Sequence, residues 1–97
     1  MPRISKRLLI MGRVQGVGFR DWLVVEANRL ELSGWVRNTG DDTVEALISG
    51  NPECIEACVL ACHRGSIWAA VQSVTIEQAE APDQADFIRR ASLPRLS

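Results

Sequence analysis

The chain has 97 residues, 46% of them apolar and 24% charged, with a formal net charge of −1. That mix predicts one globular domain over residues 1–97 and excludes disordered, collagen-like and low-complexity classes. No apolar run approaches the about 20 residues of a membrane helix, and the N-terminus lacks a signal-peptide pattern. The expected address is the cytoplasm, the expected state a monomer.

The charge is unevenly spread. Residues 1–40 carry +4, residues 41–86 carry −8 and residues 87–97 carry +3. A basic segment beside an acidic one suits a small local anion site. It does not suit a nucleic-acid track, which needs an extended basic face. No nucleic-acid or membrane partner is expected. Cys54, Cys58 and Cys62 are an odd number, which speaks against a secreted disulfide framework. At spacings of four they share one helical stripe and read as small hydrophobes. Three sulfurs on one helix cannot close a tetrahedral metal site unaided, so no metal is expected.

Ile4 to Gly12 reads as a strand with Leu8 and Ile10 on its buried face. Residues 12–18, with three glycines, form a loop. Phe19, Leu23, Ala27 and Leu30 recur at helical spacing, so residues 20–32 read as a helix that Ser33-Gly34 stops. Trp35–Thr39 and Thr43–Ser49 form a hairpin around Gly40-Asp41-Asp42. Asn51-Pro52-Glu53 starts a second helix that Gly65 ends. Ala69–Gln78 is a strand with a bulge expected near Gln72-Ser73. Phe87-Ile88-Arg89 is a short last strand, and a frayed tail with Pro94 follows Ala91. The order β-α-β-β-α-β predicts an α+β, ferredoxin-like sandwich, with two helices on one face of a mainly antiparallel sheet.

Gly12-Arg13-Val14-Gln15-Gly16-Val17-Gly18-Phe19-Arg20 joins a strand to a helix N-terminus. Such a terminus offers unpaired N–H groups and a positive dipole end. Glycines let successive N–H groups converge on an anion, and the fork of an arginine grips two phosphate oxygens. The segment reads as a phosphate or carboxylate cradle. It is neither a nucleotide P-loop nor a dinucleotide fingerprint. Asn38, at a strand end, carries a donor and an acceptor that can hold and steer a water. His63 reads as surface. Trp22, Trp35 and Trp68 read as packing residues.

Taken together, Gly12-x-Val14-Gln15-Gly16-Val17-x-Phe19-Arg20 and Gly34-Trp35-Val36-Arg37-Asn38, followed by Val44, resemble the acylphosphatase family over nearly the whole chain. The resemblance implies the ferredoxin-like fold. It implies hydrolysis of small acyl phosphates to a carboxylate and inorganic phosphate, without metal or cofactor. It implies that Arg20 binds the phosphate and Asn38 orients the attacking water. The backbone N–H groups of Gln15, Gly16, Val17, Gly18 and Phe19 then form the cradle. Two positions depart from the family pattern. Asp42 stands where a glycine is usual, so Gly40 is expected to supply the positive φ of the turn. Gly65-Ser66 replaces a frequent Gly-Pro, at a connection expected to lie far from the site.

Three other readings compete. A non-catalytic anion-binding module on the same fold would need the cradle but not Asn38. An acylphosphatase-like domain of a larger carbamoyl-transfer maturation protein is disfavoured by a chain stopping near Ser97. An RNA-binding sheet would need stacking aromatics, but the chain has no tyrosine and neither Phe19 nor Phe87 belongs to such a motif.

Overall fold

Leu8 and Ile10 share one parity of the first strand and are fully buried, so that face turns inward and the strand is pinned in register. This strand, β1 (Ile4–Arg13), is followed by α1 (Phe19–Arg29), β2 (Ser33–Asn38), β3 (Val44–Gly50), α2 (Pro52–Arg64), β4 (Ala70–Gln78) and β5 (Phe87–Arg89). The computed structural model describes residues 3–93. The strands form one sheet in the order β4-β1-β3-β2-β5. All neighbours are antiparallel except β2 and β5. This is the expected ferredoxin-like arrangement, with β5 added beside β2. Leu8, Ile10, Val36, Val44, Ala46 and Ile48 meet Phe19, Leu23 and Ala27 of α1 and Ile55, Cys58 and Cys62 of α2 in one core. Fully burying an aliphatic or aromatic side chain of this size is worth roughly 1.5–3 kcal/mol. That gain fixes which face of each strand points toward the helices.

The topology places the site. Strands β1 and β2 are each antiparallel to β3, so they run parallel to one another, and β5 runs parallel to β2. All three send their C-terminal ends to the same end of the sheet. Val44 pairs with Ile10 on one side and Asn38 on the other, which aligns the exit of β1 with the end of β2.

Local chemistry accounts for the helix ends. Asn51 caps α2 by accepting from the Glu53 N–H at 2.8 Å, with Pro52 in the first turn. Gly65 ends that helix as expected, its N–H bonding the Ala61 carbonyl. Helix α1 stops at Arg29, earlier than the expected 32. Glu31 takes a left-handed conformation with φ 59°. The Leu32 N–H bonds Ala27 O and the Glu31 N–H bonds Asn28 O, a Schellman ending that frees Ser33 and Gly34 for β2.

The expected bulge is present, since Met11 faces Ser73 and Gly12 faces Val71, leaving Gln72 unpaired. Cys58 and Cys62 are buried in the core and Cys54 half-buried, all three as free thiols. A hydrogen bond donated by the Cys62 thiol to Cys58, and next burial, pushes the Cys62 thiol well above its usual range. Three expectations need correction. Trp68 is not packed: it is 73% exposed. The chain after Ala91 is not frayed through Leu93: the Arg90 N–H bonds Val36 O and the Leu93 N–H bonds Asn38 O. Pro94 lies outside the described residues. Lastly, Gly40 does not supply the turn's positive φ, because Asp42 does so itself at 66°. Gly40-Asp41-Asp42 is a three-residue hairpin loop, and the twist of the strands requires the left-handed residue at its third position.

Candidate active site

At the shared C-terminal end of β1, β2 and β5 lies a cleft of about 170 Å³. Gly16, Gly18, Arg20 and Asn38 line it, with Asp21 and Arg89. Gly16, Gly18, Phe19, Arg20 and Asn38 of the predicted site thus share one cleft, whereas Gln15 and Val17 are not among its lining residues.

Gly16 and Gly18 both have positive φ, 72° and 76°, and a Cβ on either would meet no atom within 4 Å. Space does not demand glycine there; backbone conformation does. Gly18 caps α1 with no side-chain hydrogen bond, so the first N–H groups of the helix stay available for a ligand. The loop is braced from two sides. The Gln15 side chain donates from Nε2 to Thr39 O and Thr43 O, each at 3.0 Å. It ties the loop to the hairpin that carries Asn38. Ser66 Oγ donates to Val17 O at 3.0 Å. The Gly65-Ser66 connection is thus not remote from the site; it supports the loop from behind. Phe19 contributes only backbone to the cleft region, since its ring is buried against Trp22 at 5.3 Å between centroids.

Arg20 is half-buried, and its Nη1 donates to Ser92 Oγ at 3.2 Å. Burial, and next the charge of Arg89, holds its pKa below the usual arginine value, while Asp21 acts the other way. The guanidinium remains charged. Asn38 is buried at the end of β2. Among the described residues, its Oδ1 is the one buried side-chain nitrogen or oxygen without a hydrogen-bond partner. A buried acceptor left unpaired costs about 1–3 kcal/mol, so the fold gives up stability at this position.

Residues 6–88 match the family model described as Acylphosphatase. The chain belongs to the acylphosphatase family. An acylphosphatase of Acidiphilium cryptum is 48% identical over 89 residues, covering 92% of this chain and 98% of that protein. The structure of an acylphosphatase from Coxiella burnetii superposes with a TM-score of 0.86 at 32% identity, covering 91% of this chain and 93% of the other. Full-length HypF, in its phosphate- and nucleotide-bound form, gives a TM-score of 0.88 at 23% identity. That match covers 96% of this chain and 12% of HypF, and it shows the fold alone. The activity follows from the family: the chain hydrolyses the carboxyl–phosphate bond of small acyl phosphates.

Four residues at the acylphosphatase cleft are absent from the motif reading. Ser66 and Ser92 come from connections with no local signature. Asp21 follows Arg20 directly, and its place in the first turn of α1 already accounts for it as an acid favoured by the helix dipole. Arg89 shares the parity of Phe87, a core residue of the same strand, and that parity turns it toward the helices. The signal was usable only with the knowledge that β5 lies beside β2. His63 is exposed on α2, as expected.

Proposed function

We propose that the cradle and Arg20 bind the phosphoryl group and that Asn38 orients the attacking water. The observation that carries this is the unpaired Asn38 amide oxygen in the same cleft as Arg20 and the glycine loop. The N–H groups of Gln15, Gly16, Val17, Gly18 and Phe19 face the phosphoryl oxygens, and a phosphoryl oxygen takes the place of the Ser92 hydroxyl on Arg20. A water held by Asn38 attacks phosphorus. The bond between phosphorus and the acyl oxygen breaks, and its electron pair leaves with the carboxylate. The proton of the water passes to a phosphoryl oxygen. A carboxylate is a weak base, so departure needs no strong general acid. Stabilisation of charge and placement of the water supply the rate.

The finer reading is of one unit over residues 1–97 that works as a cytoplasmic monomer without metal or cofactor. Its support is that Cys54, Cys58 and Cys62 are free thiols.

Turnover of benzoyl phosphate in excess EDTA tests the site. Wild type should be fast. Arg20→Ala should lose at least about 10³ in kcat/KM, and Asn38→Ala about 10²–10³ in kcat. Loss of wild-type turnover in EDTA would sink the metal-free reading. Near-normal turnover in either variant would sink the assignment of that residue.

A further inference from the structure

Arg89 does nothing in the reaction just described, yet it lines the same cleft. Its parity with Phe87 points it to the helix-bearing side of the sheet, and its neighbour Arg90 points the other way, over the Trp35 ring at 5.2 Å. Arg89 Nη1 meets Asp21 Oδ1 at 2.6 Å. Both side chains are largely in water, 45% and 72% exposed. A pair this exposed contributes little to stability. The arrangement also carries a cost, because the charge of Arg89 opposes that of Arg20 across the cleft. A second guanidinium that stabilises little and repels the first needs another account.

The layout supplies one. The loop of residues 15–19 and Arg20 take the phosphoryl end. The remaining charged groups of the cleft are Asp21 and Arg89, which leaves Arg89 as a cation of the lining not used on the phosphoryl end. We infer that Arg89 is a specificity residue that binds a second anionic group on the acyl portion, making acyl phosphates with an anionic acyl chain the favoured substrate class. Asp21 holds the guanidinium in place until the substrate's anion takes over as its partner, one negative charge for another. The inference rests on the phosphoryl-binding role of Arg20 proposed above.

The test compares benzoyl phosphate with its meta- and para-carboxylated forms, which share the reacting anhydride and add one carboxylate. The wild type should favour at least one carboxylated form in kcat/KM by about tenfold at low salt. The preference should shrink as salt rises. Arg89→Gln should bring the ratio to about one, Arg89→Lys should retain part of it, and Arg89→Glu should invert it. Equal kcat/KM for all three substrates in the wild type would overturn the inference. So would a preference that survives Arg89→Gln. An equal loss on every substrate, with weaker inhibition by inorganic phosphate, would also overturn it by assigning Arg89 to the phosphoryl group. If Arg89→Gln does not fold, Arg89→Lys and the salt dependence of the wild-type ratio decide. Failure of the Arg20 reading would show separately, as an Arg20→Ala enzyme that still turns over benzoyl phosphate.

Discussion

Arginines gather at two places on this sheet, and the two are built differently. On the face away from the helices, Glu45 is 4% exposed and accepts from both Arg7 and Arg37, the latter at 2.7 Å. Arg7 also reaches Glu77 at 2.9 Å, and the Arg37 guanidinium sits over Trp35 at 4.6 Å. In the cleft, by contrast, Arg20 meets a serine hydroxyl, and the Asn38 oxygen beside it meets nothing among the described residues. Polar groups removed from water are paired where they serve the fold. Where they are left short of partners, the fold forgoes stability to keep them ready. The pairing pattern therefore sets Arg7 and Arg37, held by carboxylates on the sheet face, apart from Arg20, the residue proposed to bind the phosphoryl group.

Glu45 gives the largest test of that contrast. Burial pushes its carboxyl pKa up, but the hydrogen bonds from Arg37 and Arg7 outweigh burial and hold it below the usual carboxylate value. A lowered folded pKa means that its contribution is present above the unfolded value and is lost as pH falls through the folded one. Glu45→Ala should cost about 2 kcal/mol in urea unfolding at neutral pH, since both arginines can still reach water. Turnover per folded molecule should stay near wild type. The acid side of the wild-type stability curve should flatten in Glu45→Gln. A large loss of kcat without loss of stability would erase the distinction between the two regions.

Ser66 sharpens the same comparison from behind the cradle. Ser66→Ala removes one buried hydrogen bond to the loop and should cost about 1 kcal/mol. It should also weaken inhibition by inorganic phosphate a few-fold, which a residue remote from the site would not do. The smallest effect is at Asp42. Its left-handed conformation suits glycine better, so Asp42→Gly should raise stability by about 0.5 kcal/mol, visible as a small increase in Tm, with kcat unchanged.

Much of this was readable from residues alone. Periodicity placed the elements that carry an apolar face, Leu8 and Ile10 in β1, Phe19, Leu23 and Ala27 in α1, Ile55, Cys58 and Cys62 in α2, while β4 has no buried residue to mark its face. The glycine loop, Arg20 and Asn38 could be singled out because their proposed roles depend on backbone conformation and residue type at fixed spacing. Contacts between distant segments were not. Nothing near Arg89 announces that β5 pairs in parallel with β2. Nothing near Ser66 announces the Val17 carbonyl 49 residues away. The end of α1 misled for a local reason: a glycine stop was expected, and a glutamate took the left-handed position. Trp68 misled because size and apolarity predict burial, while its place after α2 leaves it in water.

The measurement that bears most directly on the account pairs stability with function in Asn38→Ala. The side chain removed has a buried oxygen with no partner, so deleting it should leave Tm unchanged or slightly raised. Inorganic phosphate should inhibit the variant as it does the wild type, while kcat on benzoyl phosphate falls by about 10²–10³. A variant that instead loses stability and phosphate binding together, with kcat falling only in step, would contradict it: Asn38 would then be a structural residue, and the unpaired oxygen would not mark the catalytic water.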